Sequence, residues 1–141
     1  MQCYTDLKPP RIIITSWALD SYRELVPRHV NVEEYWSTLR PDIVRLRHRT
    51  TDARFNNPSF WGPAQSGPNK VISQAFKMKW HNIGPGRIQL RLGVVECEGD
   101  YYLCHAWSKT SQNQDFQSAM ALRDFVRKIR SGAVLCLGTI P

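Results

Sequence analysis

A chain of 141 residues with five Trp, five Tyr and five Phe is long enough to bury one sizeable core and too short for two of ordinary size. Its formal net charge of +7 makes polyanions, nucleic acid first, the partners to consider, unless the excess is merely a solvated basic surface. No apolar run approaches the length that crosses a bilayer, and Tyr4, Asp6 and Lys8 stand where a signal segment would be apolar, so the expectation is a single soluble, cytoplasmic domain over residues 1–141.

In chain order, Pro9 and Pro10 close an irregular tail, and the β-branched run Arg11 to Thr15 predicts a strand buried on both faces. Ser16 can cap a helix with Trp17, Leu19, Tyr22, Leu25 and Val26 near helical spacing, ended by Pro27. A second helix starts at Asn31, which forms a capping-box-like pair with Glu34; Val32, Tyr35, Trp36, Leu39, Ile43 and Leu46 recur at threes and fours, and Pro41 must kink or split it. Residues 49–70 hold Asn57-Pro58, Gly62-Pro63 and Gly67-Pro68, a density of breakers that predicts a long central loop. Its Arg54, Phe55, Phe60 and Trp61 either stack on unpaired bases or pin the loop to the core.

Val71 to Trp80 alternates Ile72, Phe76, Met78 and Trp80 against Lys77, Lys79 and the following His81; a turn at 82–86 leads into a second strand, Gly86 to Glu96, alternating Ile88, Leu90, Leu92 and Val94 against Arg87, Gln89 and Arg91. If these strands pair, Lys77, Lys79, His81, Arg87 and Arg91 share one face, opposite the side that packs on helices. Such a face either holds an anion or is the wet side of an antiparallel sheet. A hairpin turn at Glu98 to Asp100 precedes a strand, Tyr101 to Trp107, apolar on both sides, where His105 reads as a core histidine. The last helix begins near Gln112 to Gln114, carries Phe116, Ala119, Leu122, Val126 and Ile129, and stops at Gly132; Ala133 to Leu137 adds a short strand. Cys3, Cys97, Cys104 and Cys136 lack CxxC spacing, and the four histidines lack i, i+4 pairing, so reduced thiols are expected and no metal or cofactor is called for.

The order strand, helix, helix, loop, three antiparallel strands, helix resembles the RelE/HigB superfamily of small toxins, most of all its phage-derived branch. The likeness rests on Arg87-Ile-Gln-Leu-Arg91, on His105-Ala-Trp107-Ser-Lys109-Thr110-Ser-Gln112, and on Ala119 and Arg123, all within residues 86–129. It implies an α+β, RelE/ParE-like fold with an antiparallel, mixed-edge sheet, two N-terminal helices and one C-terminal helix. It further implies a metal-independent, ribosome-dependent endonuclease that cuts messenger RNA by 2′-hydroxyl attack and is held by an antitoxin protein. Carried over from the resemblance, Arg87 and Arg91 stand on phosphate, Lys109 on the backbone and Gln89 at an often basic position; His81, by its exposure, is the general acid or base, and the strand face and the loop add Lys77, Lys79, Arg54 and Trp61 on RNA. Phe116 stands where some members place a tyrosine, Ser108 replaces a second lysine, and Gln89 is uncharged. These departures keep open an inert member that binds RNA or a protein partner, including a ParE-like target binder acting through the central loop. All of these readings except the target binder require the sheet cations on one surface; cations splayed apart or buried against carboxylates count against them.

Overall fold

The strongest signals in the chain, the period-two runs after residue 70, become the centre of the sheet. In the computed structural model, which describes residues 9–25 and 30–140, β3 (Val71–Ile83), β4 (Ile88–Cys97) and β5 (Asp100–Lys109) form an antiparallel meander. β1 (Ile12–Thr15) lies parallel to β5, and β6 (Cys136–Thr139) closes that side antiparallel to β1. On the other side β2 (Trp61–Gln65) pairs with β3, giving six strands among the described residues in the order β2-β3-β4-β5-β1-β6. The architecture is α+β with a mixed sheet, as expected in class.

The long loop is a correction. Residues 53–56 make a 3₁₀ turn and Trp61–Gln65 a strand, even though Pro63 sits inside it opposite Phe76. A proline is tolerated there because β2 is an edge strand, where a missing N–H leaves no neighbour unsatisfied. Phe60 and Trp61 prove to be anchors: both are buried, Trp61 stacks on Phe76 with centroids 4.9 Å apart, and Arg49 lies over Phe55, Trp61 and Phe76.

β1 runs straight into helix α1 (Ser16–Leu25), and Thr15 rather than Ser16 serves as the cap: its Oγ1 donates to Leu103 O at 2.7 Å and accepts from Ala18 N–H at 3.2 Å. The predicted stop at Pro27 lies outside the described residues. From Asn31, whose side chain accepts from Glu34 N–H at 2.6 Å, helical turns run through α2 (Val32–Glu34), a π segment (Tyr35–Leu39), α3 (Arg40–Val44) and a 3₁₀ turn (Arg45–His48). The wide π turn sits just before Pro41, which lacks an N–H and needs the relief. Helix α4 (Gln112–Arg130) has a reciprocal cap, with Ser111 Oγ accepting from Gln114 N–H and Gln114 Oε1 from Thr110 N–H, and it ends at Gly132 with φ of 81°.

Alternation sorts the core into two layers. Met78, Trp80, Leu90, Leu92 and Leu103 face the 30–48 helical turns and α1, and all but Met78 line an apolar cavity of about 310 Å³ beside Ala18 and Tyr22. Ala75, Val95, Cys104 and Trp107 face Ala119, Leu122 and Val126 of α4. A buried Leu122 contributes roughly 1.5–3 kcal/mol. At Gly93 the approach is so close that a Cβ would stand 2.8 Å from a Leu122 methyl. Both faces of the sheet therefore carry helices, which overturns the expectation that the Lys77–Arg91 face lies wholly opposite them. Cys97 and Cys104 are free thiols, but Cys136 is disulfide-bonded. That corrects the expectation of reduced thiols throughout. No helix among the described residues is long and apolar enough to cross a membrane.

Candidate nucleic-acid interface

The strand register brings most of the predicted cations together. Lys79 pairs with Arg91, which pairs with Trp107; Lys77 pairs with Gly93, which pairs with His105; Gln89 pairs with Lys109. Directly opposed residues share a face, and Gly93 packing on Leu122 identifies it as the α4 face. The first turn of α4 covers part of this row, and the rest continues past the helix end as Lys79, His81, Gln89 and Lys109.

Lys77 is a correction among the RNA-binding candidates. It is 7% exposed and its Nζ donates to Asp115 Oδ2 at 2.5 Å, while Trp107 Nε1 donates to Oδ1 of the same carboxylate at 2.9 Å. Asp115 is buried, on the α4 face that also carries Ala119, Leu122 and Val126. Burial alone would raise its carboxyl, but the bonds from Lys77 and Trp107 and the charges of Lys77 and Arg91 prevail and hold it below its ordinary value. Sequence reading missed Asp115, although its i, i+4, i+7 placement with Ala119 and Leu122 marks it as an inward carboxylate.

Arg91 is only 5% exposed. Its Nη1 donates to Leu90 O at 3.1 Å, its Nε is buried with no partner, and no ion pair reaches it among the described residues. Burial pulls its pKa down, opposed by the charge of Asp115; a guanidinium stays charged regardless. Across the ladder, Lys79 is also without a carboxylate among the described residues. Its Nζ donates to Pro58 O at 2.9 Å, and its pKa is lowered first by burial and then by the charges of Lys77 and Arg91, against the opposing charge of Asp115. Four cations thus share this face with one described carboxylate in contact, and that carboxylate is taken by Lys77.

His81 is exposed at the end of the row, with Nδ1 hydrogen-bonded to Gln89 Oε1 and Nε2 to Ser59 O, both at 2.8 Å. Gln89 in turn donates to Asn82 Oδ1 at 3.2 Å. Arg87 is not brought in by the strand: it precedes β4 in the turn with φ of 51°, so the alternation that aligns Gln89 and Arg91 does not extend to it. Trp61 is a second correction, since its ring is spent on the Arg49 and Phe76 packing and offers no face for a base. Arg54 is exposed, lies 4.2 Å over the Phe60 ring and donates to Asp42 Oδ2 at 3.2 Å. His105 is a core residue, held by Ser118 O at 2.8 Å and stacked on Trp107.

No family model matches the chain, and no curated protein matches it as a relative.

Proposed function

We propose that the chain is a RelE/HigB-like toxin that grips messenger RNA by its phosphates at the end of α4 and cuts it on the ribosome. The observation that supports this most is the Arg91–Lys79 pair: two neighbouring cations, one with an orphaned buried Nε, and neither in an ion pair among the described residues, although the charge of Asp115, already bonded to Lys77, reaches both. Like charges so placed are relieved by an anion of matching geometry, and a phosphodiester offers one.

In the reaction, the 2′-oxygen bonds to phosphorus as the bond to the 5′-oxygen breaks, leaving a cyclic phosphate and a 5′-hydroxyl. Arg91, as the fixed floor, offsets the charge that develops on the phosphorane. Lys79 and Lys109 hold the flanking phosphates in line. His81 exchanges protons with the two oxygens after giving up Gln89 or Ser59.

End-mapping of a message in cell-free translation, with and without the protein, tests the reading. Cuts only on translated message support it, with loss in Lys79→Ala/Lys109→Ala; an intact message with unimpeded translation refutes it. Arg91→Ala is a poorer probe than its place in the motif implies, because the side chain is buried and its removal perturbs the core.

The inert RNA binder is kept as a second reading by one observation: both His81 nitrogens are already partnered, and Phe116, buried and without a hydroxyl, supplies no replacement. It predicts salt-sensitive retention of RNA, a slope lowered by roughly 0.7–1 on removing one phosphate contact, and no cleaved product. An antitoxin partner belongs to the toxin reading and would be sought as an acidic segment that covers Lys79 and Lys109.

A further inference from the structure

A cavity of about 300 Å³ opens at the β2–β3 edge of the sheet, lined by Thr38, Arg54, Asn57, Ser59, Lys79 and His81 among others. It is continuous with the cationic row because Lys79 and His81 belong to both. Lys79 Nζ and His81 Nε2 reach over the edge to the carbonyls of Pro58 and Ser59, which fixes the cavity wall against β3. Its size is at the lower end for small-ligand pockets.

The cavity contains a planar platform. Arg54 is laid on Phe60 at 4.2 Å and tied to Asp42, whose carboxylate also takes Trp80 Nε1 at 2.9 Å and Arg45 Nε at 3.2 Å. Phe60 and Trp80 are buried and cannot stack on a ligand themselves, but Arg54 lines the cavity with 44% of its side chain exposed. Beside it, Asn57 spends Oδ1 on Ser59 N–H and Oγ at 3.0 and 2.8 Å, which orients its amide and leaves Nδ2 without a partner among the described residues. A flat cation above an aromatic ring, with an oriented amide at its rim, fits the chemistry of an unpaired base: one π face to stack and one polar edge to read.

We infer that this cavity receives the base of a single-stranded RNA nucleotide adjacent to the phosphate held by Lys79, stacked on Arg54 and read at its edge by Asn57. The inference rests on the phosphate-gripping reading above and adds a base-selective contact to it. Asp42 does not repel the incoming strand, because Arg45 and Arg54 neutralise it.

Fluorescence anisotropy with labelled 12-mers of U, C and A, and with an abasic 12-mer of equal charge, tests it. The wild-type protein is expected to prefer one homopolymer and to bind the abasic strand about 5- to 160-fold more weakly, the range of one stacked base. Arg54→Lys, which keeps the charge and loses the plane, should erase that gap without changing the salt slope; Asn57→Ala should flatten the preference among bases. Circular dichroism melts of both variants verify that the fold is kept. Equal affinity for abasic and base-bearing strands overturns the inference while leaving phosphate binding intact. No affinity for any strand overturns both.

Discussion

Removing the Asp115 carboxylate is the sharpest test of how this sheet face is held together. Asp115→Ala deletes the acceptor of two buried hydrogen bonds, at 2.5 Å from Lys77 and 2.9 Å from Trp107, and strands the Lys77 ammonium beside Arg91 with no counter-charge. Breaking one side of a buried pair costs about 3–5 kcal/mol. Urea denaturation followed by tryptophan fluorescence should show that loss, whereas Lys77→Met/Asp115→Leu, which removes both charges, should recover most of it. The same pair sets an acid limit. The folded carboxyl titrates below its ordinary 3.8, so on acidification the unfolded chain takes up the proton first. The stabilisation is whole above that value and drains as pH falls from it through the lower folded value. Wild-type stability should thus decline more steeply below about pH 4 than that of Asp115→Asn. A cost under about 1 kcal/mol for Asp115→Ala, with parallel pH curves, would refute the account of this face as one whose cations need a buried carboxylate.

Three further outcomes follow from the packing. Gly93→Ala forces a methyl to within 2.8 Å of Leu122 and 3.2 Å of His105 Nδ1, so urea titration should show a loss of about 1–3 kcal/mol; an unchanged midpoint would mean that α4 sits farther off. Burial holds the His105 imidazole below its ordinary 6.5, against the smaller upward pull of Ser118 O. The unfolded chain is again protonated first as pH falls, so its NMR titration midpoint should lie below 6.5, and a midpoint above it would contradict its burial. Ala18→Leu adds methyls at the wall of the apolar cavity and should raise stability by about 0.5–2 kcal/mol in the same titration; a destabilised variant would show that the space is not available to fill.

The order of elements was legible because β3 and β4 alternate with period two, β5 is a short apolar run between turn signals, and α4 has helical spacing closed by Gly132. β2 was not, since Pro63 and the flanking glycines match a loop equally well, and only its place at the edge makes them compatible with a strand. For the site, period two correctly predicted that Lys77, Lys79 and Arg91 share a face. It carried no information about what lies over that face: Lys77 meets a carboxylate 38 residues away, on a helix that could have packed on either side of the sheet. Arg87 was misplaced for a local reason, because the left-handed backbone of the turn breaks the alternation one residue before β4 begins. The apolar anchoring of Trp61 was one of two readings its loop allowed, and the aromatic cluster around Arg49 is what decides between them.

The outermost strands limit how this protein meets copies of itself. β2 carries Pro63 and an irregular register toward Gln65, and β6 is four residues long with a register break opposite Ile14 and Thr15. Neither margin presents an unbroken ladder of donors and acceptors, so neither is a good template for another chain to extend. Copies brought close together therefore have little to zip along, edge to edge.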